Sequence, residues 1–277
     1  MRKTILGCVL LLVTGFAFGG AKPERQASLT VTGTISVDVG GKVTAHSVDH
    51  PEMLDRGVVA IIDQVAPRWR FEPVLEDGHP VPVKAVMRLS FIGNTMQDGG
   101  MAVRLSAADF RDAEQPAADV VSIAKRTMIR YPADAQGANV GGAVYVVLRI
   151  DRAGNVVDAA TRHVDLFIDQ SPVEMRRWRE LLGNAALRSV RQWKFYVPTT
   201  GKDANDPYVT GTVPVVYRMQ DDGMPGYGQW MAFMPGPVAP VSWLDSVEDN
   251  DTGSAALAAG AFAQDGSGLK LLTPLGG

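Results

Sequence analysis

One order of apolar and polar positions occurs twice along the chain. In the later copy, Trp178, Leu181, Leu182, Ala185, Val190 and Trp193 recur at three- and four-residue steps, which predicts a single buried helical stripe. Ser171-Pro172-Val173-Glu174 marks its start: serine caps, proline suits the first helical position, and glutamate three residues on closes a capping box. Arg176, Arg177, Arg179, Glu180, Arg188 and Arg191 lie mostly off the stripe and are expected in solvent. The helix gives way to Trp193-Lys194-Phe195 and a short strand stopped by Pro198. In the earlier copy Leu54, Val58, Ile61 and Val65 form the stripe, Pro67 ends it, and Trp69-Arg70-Phe71-Glu72-Pro73 follows.

Each copy is preceded by the same hairpin pattern. An apolar strand runs into an aspartate turn with glycine and out into a second apolar strand. The first example spans 34–43 around Asp38 and Gly41, and the second spans 146–156 around Asp151 and Gly154. Glycine suits such turns because one position needs a left-handed backbone. After each Trp element comes a turn and a long alternating strand, over 81–91 and 209–219. These patterns predict an α+β protein of two tandem modules, each a small antiparallel sheet packed on a helix. Trp69, Phe71, Trp178, Leu181, Trp193 and Phe195 are the expected core.

The remaining segments read differently. Residues 1–21 combine Arg2 and Lys3, an apolar run and Gly19-Gly20-Ala21, the pattern of a cleaved secretory signal. An uncleaved membrane anchor is the alternative, at the short limit for spanning. Removal of the signal would take Cys8 with it and leave no cysteine, so disulfides and thiolate chemistry drop out. A first module is expected over 28–108, with 101–105 able to add a strand beyond the turn at 98–100. Residues 109–125, acidic and alanine-rich around Pro116, read as a linker, and a second module follows over 126–220. Residues 221–277 read as a Gly/Pro/Ala-rich tail, mostly disordered, whose aromatics Tyr227, Trp230, Phe233 and Trp243 either fold back on a sheet or serve as a docking motif.

Composition removes several functions. The formal net charge is -3, without the basic field that nucleic-acid binding needs. No phosphate loop, elbow serine or zinc signature is present. His46 and His50 sit in and after a predicted strand next to Pro51, a poor arrangement for a metal. Asp38 and Asp151 read as turn residues satisfying local amides. No catalytic residue, metal or cofactor is expected, and the chain reads as a binder, not an enzyme.

The order of elements, together with Tyr131-Pro132, Gly142, Ile150-Asp151, Gly154, Ala185-Ala186-Leu187, Trp193-Lys194-Phe195 and Val213-Pro214-Val215, resembles the C-terminal domain of the TonB family. The first copy lacks the Tyr-Pro element and is a degenerate match. The resemblance implies a short helix near 133–136. It also implies a periplasmic module that binds an extended segment of a protein partner, an outer-membrane receptor being the candidate, by β-augmentation linked to transport across the outer membrane. It puts the receiving edge at Val215, Val216, Tyr217, Arg218 and Met219, on a strand whose Pro214 has no amide to give to an inner ladder. Two alternatives stay open: a cell-envelope assembly protein whose modules pair with each other or with a second chain, and an energy transducer anchored by an uncleaved N-terminus. The membrane is a partner only in the last case.

Overall fold

The structure, a computed structural model, describes residues 24–96, 99–112, 117–201, 203–219, 225–244, 262–264 and 268–276. It is a sheet-dominated α+β fold built from several small antiparallel sheets. The expected signal at 1–21 lies outside the described residues, and among those described no helix is long and apolar enough to cross a membrane.

The first sheet is centred on β1 (Gln26–Val37), whose residues are buried alternately, as a strand with one face on a core must be. β2 (Val43–Val48) returns from the Asp38 turn along one edge of β1. Helix α1 (Arg56–Val65) is capped by the Asp55 carboxylate, which accepts from the Gly57 amide at 2.6 Å. Val58, Ile62 and Val65 are its buried face. Ile62 thus takes the place expected for Ile61, which is half-buried; two adjacent isoleucines leave the rotation of a short stripe open. A small hairpin, β3 (Val74–Glu76) with β4 (His79–Val81), leads to β5 (Val83–Thr95), paired along the other edge of β1. β6 (Met101–Asp112) then pairs with β5 from Thr95 back to Ala85. Residues 109–112, read as linker, belong to this strand: Phe110 is buried and packs edge-on against Trp69 and Phe71, with centroids 5.2 and 4.9 Å apart.

The second sheet repeats this order. β7 (Ser122–Lys125) and α2 (Ala133–Gly137) precede β8 (Gly142–Asp151), which lies between β9 (Val156–Leu166) and a strand from further along the chain. The capping box at Ser171 and Glu174 opens α3 (Pro172–Val190), which packs Met175, Trp178, Leu182, Ala185, Ala186 and Val190 on the sheet. Leu181 flanks this face half-buried, so it borders the core that it was expected to fill. β10 (Lys194–Tyr196) and β11 (Tyr208–Tyr217) complete the unit. Two separate hydrophobic clusters result, one around Trp69 and one around Trp193.

The two Trp corners match atom for atom. The Gly41 amide donates to Asp38 O at 2.9 Å, and Gly41 O accepts from the Phe71 amide at 2.8 Å. The Gly154 amide donates to Asp151 O at 2.9 Å, and Gly154 O accepts from the Phe195 amide at 2.9 Å. The glycines have φ of +79° and +77°, and a Cβ on either would stand 1.9 or 2.0 Å from the phenylalanine carbonyl oxygen. Close approach and a left-handed backbone therefore both demand glycine. Gly41→Ala and Gly154→Ala are each expected to cost at least ~1–2 kcal/mol, read by chemical denaturation; a neutral alanine would mean the corner can open freely.

Segments that follow β11 return to the first sheet, whereas the chain leaving the first sheet simply enters the second. After β6 the chain passes to β7, which pairs with β10 of the second unit, and Thr127 O accepts from Trp193 Nε1 at 3.2 Å. At the other end β13 (Ala263–Gln264) pairs with β11, and the chain then returns to the first unit. There Leu271 bridges Phe71, Leu272 donates to Arg70 O at 2.8 Å, and Leu275 O accepts from Trp69 Nε1 at 3.2 Å. The described part of the tail is thus ordered, contrary to the expectation of disorder there. Its aromatic stretch also folds back, on a sheet edge: β12 (Met231–Phe233) extends the β1 edge beside β2. Past it, Met234 exchanges backbone hydrogen bonds with Leu166, and Ala239 donates to Arg162 O at 2.7 Å. The proline-rich run covers the outer edge of β9, a common protection for an unpaired edge.

Candidate functional site

The pairing registers of the two sheets show which strands hold equivalent places. Val37 pairs with Val83, and Ile150, at the same place before its turn aspartate, pairs with Val209. β5 and β11 therefore correspond. Ala85, Met87, Leu89 and Phe91 face one core, as Gly211, Val213, Val215 and Tyr217 face the other. In the first unit β6 covers the outer edge of β5 along its length. In the second, β13 covers only Gly211 and Thr212. Among the described residues nothing pairs with 213–217 on the side away from β8.

Antiparallel pairing sets which groups this edge offers. Backbone donors and acceptors alternate between the two sides of a strand. Pro214 has no amide, yet it sits opposite Tyr145 in an unbroken pairing with β8, so residues of its parity turn outward. Thr212 and Val216 then point their amides away from β8, while Val215 and Tyr217 are spent on it. The five residues expected to form the edge are thus not equivalent. Val216 presents both groups outward, and Val215 and Tyr217 present side chains to the core. Arg218 and Met219 lie beyond the last residue of β11. Arg218 packs over the Phe167 ring at 5.1 Å and donates to Met231 Sδ, which ties the strand end to β12. Sequence reasoning took Pro214 as the mark of an edge strand but did not draw the parity from it, and so left out Thr212 and Pro214 O as edge groups.

The Tyr217 ring meets Tyr131 at 5.3 Å, joining the Tyr-Pro element to the strand, and burial pushes its phenol up well above the ordinary value. The expected core residues Trp69, Phe71, Trp178, Trp193 and Phe195 are all buried. A cavity of about 540 Å³ beside α3 is lined by Thr127, Arg130, Tyr131, Pro132, Arg188 and Gln192 among others, with no carboxylate, histidine or cysteine.

Titratable groups elsewhere hold the fold together. His46 Nε2 lies 2.9 Å from Asp63 Oδ1, tying β2 to α1. His50 has a left-handed backbone before Pro51 and lies 3.4 Å from Glu52. His163 stacks on Tyr145 at 4.2 Å with Asp165 3.7 Å away. The Asn155 side-chain amide and then its backbone amide hold Asp151 below its ordinary carboxylate value, as befits a turn residue. Among the described residues no group of three His, Cys, Asp or Glu is placed to hold a metal. No family model, curated protein or solved structure matches the chain.

Proposed function

We propose that the chain is a periplasmic binding protein of the TonB C-terminal type, made of two tandem modules with the first degenerate. It takes extended segments of a protein partner onto the β11 edge by β-augmentation, in connection with TonB-dependent transport across the outer membrane. The observation that carries this reading is the contrast between the two third strands: β5 is filled by its own hairpin partner β6, and the corresponding β11 is open over 213–217 among the described residues. The first unit thus exhibits in cis the strand that the second would take from outside. The secretory pattern of 1–21 supports the compartment, and the repeated Trp corners support the tandem arrangement.

Affinity follows from the parity of the edge. Pro214 O and Val216 N–H and O amount to about three ladder bonds, worth ~0.5–1.5 kcal/mol each. Association entropy consumes much of that, so backbone pairing alone gives micromolar binding or weaker. Val216→Pro removes the one outward amide inside the open stretch. It is expected to lower the affinity for short receptor-derived peptides at least ~5-fold, in line with one lost ladder bond, while thermal melting stays close to that of the parent. Titration calorimetry of both proteins provides the test, and equal affinities would exclude this edge. The return of β12 and 268–276 from the second unit to the first sheet and core supports a second reading, an envelope assembly protein whose modules pair with each other or through exchanged strands with a second copy. A concentration-dependent dimer in solution, with no peptide affinity, would favour it.

A further inference from the structure

β13 is short but strongly anchored. Phe262, just before it, is buried and packs against Phe195 with ring centroids 5.2 Å apart. Continuing the pairing of Thr212 with Ala263 by one residue sets Phe262 opposite Val213, just as Phe110 stands opposite Met87 in the first unit. Phe110 closes on Phe71 as Phe262 closes on Phe195. Aligned on the phenylalanine, both sequences also have small residues two and three positions before it, Ala107-Ala108 and Ala259-Gly260. The receiving strand is shaped for the ring. A Cβ at Gly211 would stand 2.3 Å from Phe262 Cζ and 2.3 Å from Ala263 O, so glycine there makes room for both the strand and its anchor.

We infer that β13 is a built-in ligand of the β11 edge, and that the outside partner of this edge is an extended peptide with a phenylalanine that replaces Phe262 against Phe195. This rests on the augmentation reading above and adds to it the recognition element and its regulation. Backbone pairing is blind to sequence, whereas a phenylalanine delivered into the core beside Gly211 is not. The pairing frame fixed at Gly211 and Thr212 sets the register in which a strand can continue along 213–217. A tethered copy of the anchor competes at high effective concentration, so an outside peptide must displace it. Arg111 Nη2 of β6 also donates to Phe262 O at 3.4 Å, so the first unit helps to hold the anchor in place.

The test uses the full mature chain, its Phe262→Ala variant and its Ala263→Pro variant, which removes a ladder amide of β13 without emptying the core. The probe is a synthetic peptide with the sequence of residues 258–265, alongside the same peptide with its phenylalanine replaced by alanine. Both variants are expected to bind the parent peptide at least ~10-fold more tightly than the wild-type chain does, because the tethered competitor is weakened. The alanine peptide, left with backbone pairing alone, is expected to bind the variants at least ~10-fold more weakly than the parent peptide does. If neither variant gains over wild type, β13 is not an internal ligand. If the alanine peptide binds the variants as well as the parent peptide does, phenylalanine is not the recognition element, although augmentation stands. Adding Val216→Pro to either variant is expected to reduce the gain; an unchanged gain would overturn the edge reading itself.

Discussion

Replacing Trp193 by alanine is expected to destabilise the second core by about 3–5 kcal/mol, the range for removing a large buried aromatic. Trp193 is 1% exposed and lies where α3, β7 and β10 meet. Its ring is tilted against Phe195 at 6.5 Å, and Arg126 covers it at 5.5 Å from the centroid. Its Nε1 also holds Thr127 O, so the alanine variant loses the tie between the segment after β7 and the core as well as the packing. Set against a domain stability of roughly 5–15 kcal/mol, this is a large fraction. Calorimetric melting should show the loss in the transition of the second core. Unchanged melting would mean the indole does not pack as found, and would return Trp193 to consideration as a ligand-binding residue. Trp178→Ala should be milder in its polar part, since Trp178 Nε1 donates at 2.9 Å to the Gln170 side chain, which water can replace.

What could be read from the sequence was what is decided locally. The Ser171–Glu174 capping box, the Gly41 and Gly154 turns and the Trp corners each depend on residues a few positions apart, and all are found. The rotation of α1 was missed by one residue because Ile61 and Ile62 are chemically alike. β6 was seen only in its first five residues, since the rest mixes Ser106, Asp109 and Arg111 with small alanines. Such a composition resembles a loop, and only its partner β5 makes it a strand. The sequence placed the expected receiving edge at the end of β11, but which groups that strand turns away from β8 depends on their register, which no local pattern states. Least legible was the C-terminal segment. Leu269 and Leu271 look like stray apolar residues in a disordered tail until Trp69, 206 residues from the carbonyl it binds, supplies the context.

That long-range contact leads to the second large effect. A chain ending at Asp265 keeps β13 and loses the segment that closes the first core. Leu269 is buried beside Phe110, whose carbonyl accepts from the Leu269 amide at 2.9 Å, and the Glu72 amide donates to Lys270 O at 2.9 Å. Arg70 N–H donates to Thr273 Oγ1 at 3.2 Å, and Trp69 Nε1 donates to Leu275 O. Truncation uncovers Trp69 and Phe71, which are 0% and 1% exposed in the whole chain. The loss should approach that of hollowing out one aromatic, about 3–5 kcal/mol, and it should be confined to the first unit. Hydrogen exchange separates the cases: amides of β1 and β5 lose protection while those of β8 and β9 keep theirs. A synthetic peptide of residues 266–277 added to the truncated chain should restore the protection saturably, because the groove beside Arg70 is formed by elements that remain. Full protection of β1 and β5 in the truncated chain would show that the segment rests on a core already complete without it. Loss of protection in both units would show that the crossing strands make the two cores one cooperative structure, in which neither module folds without the other.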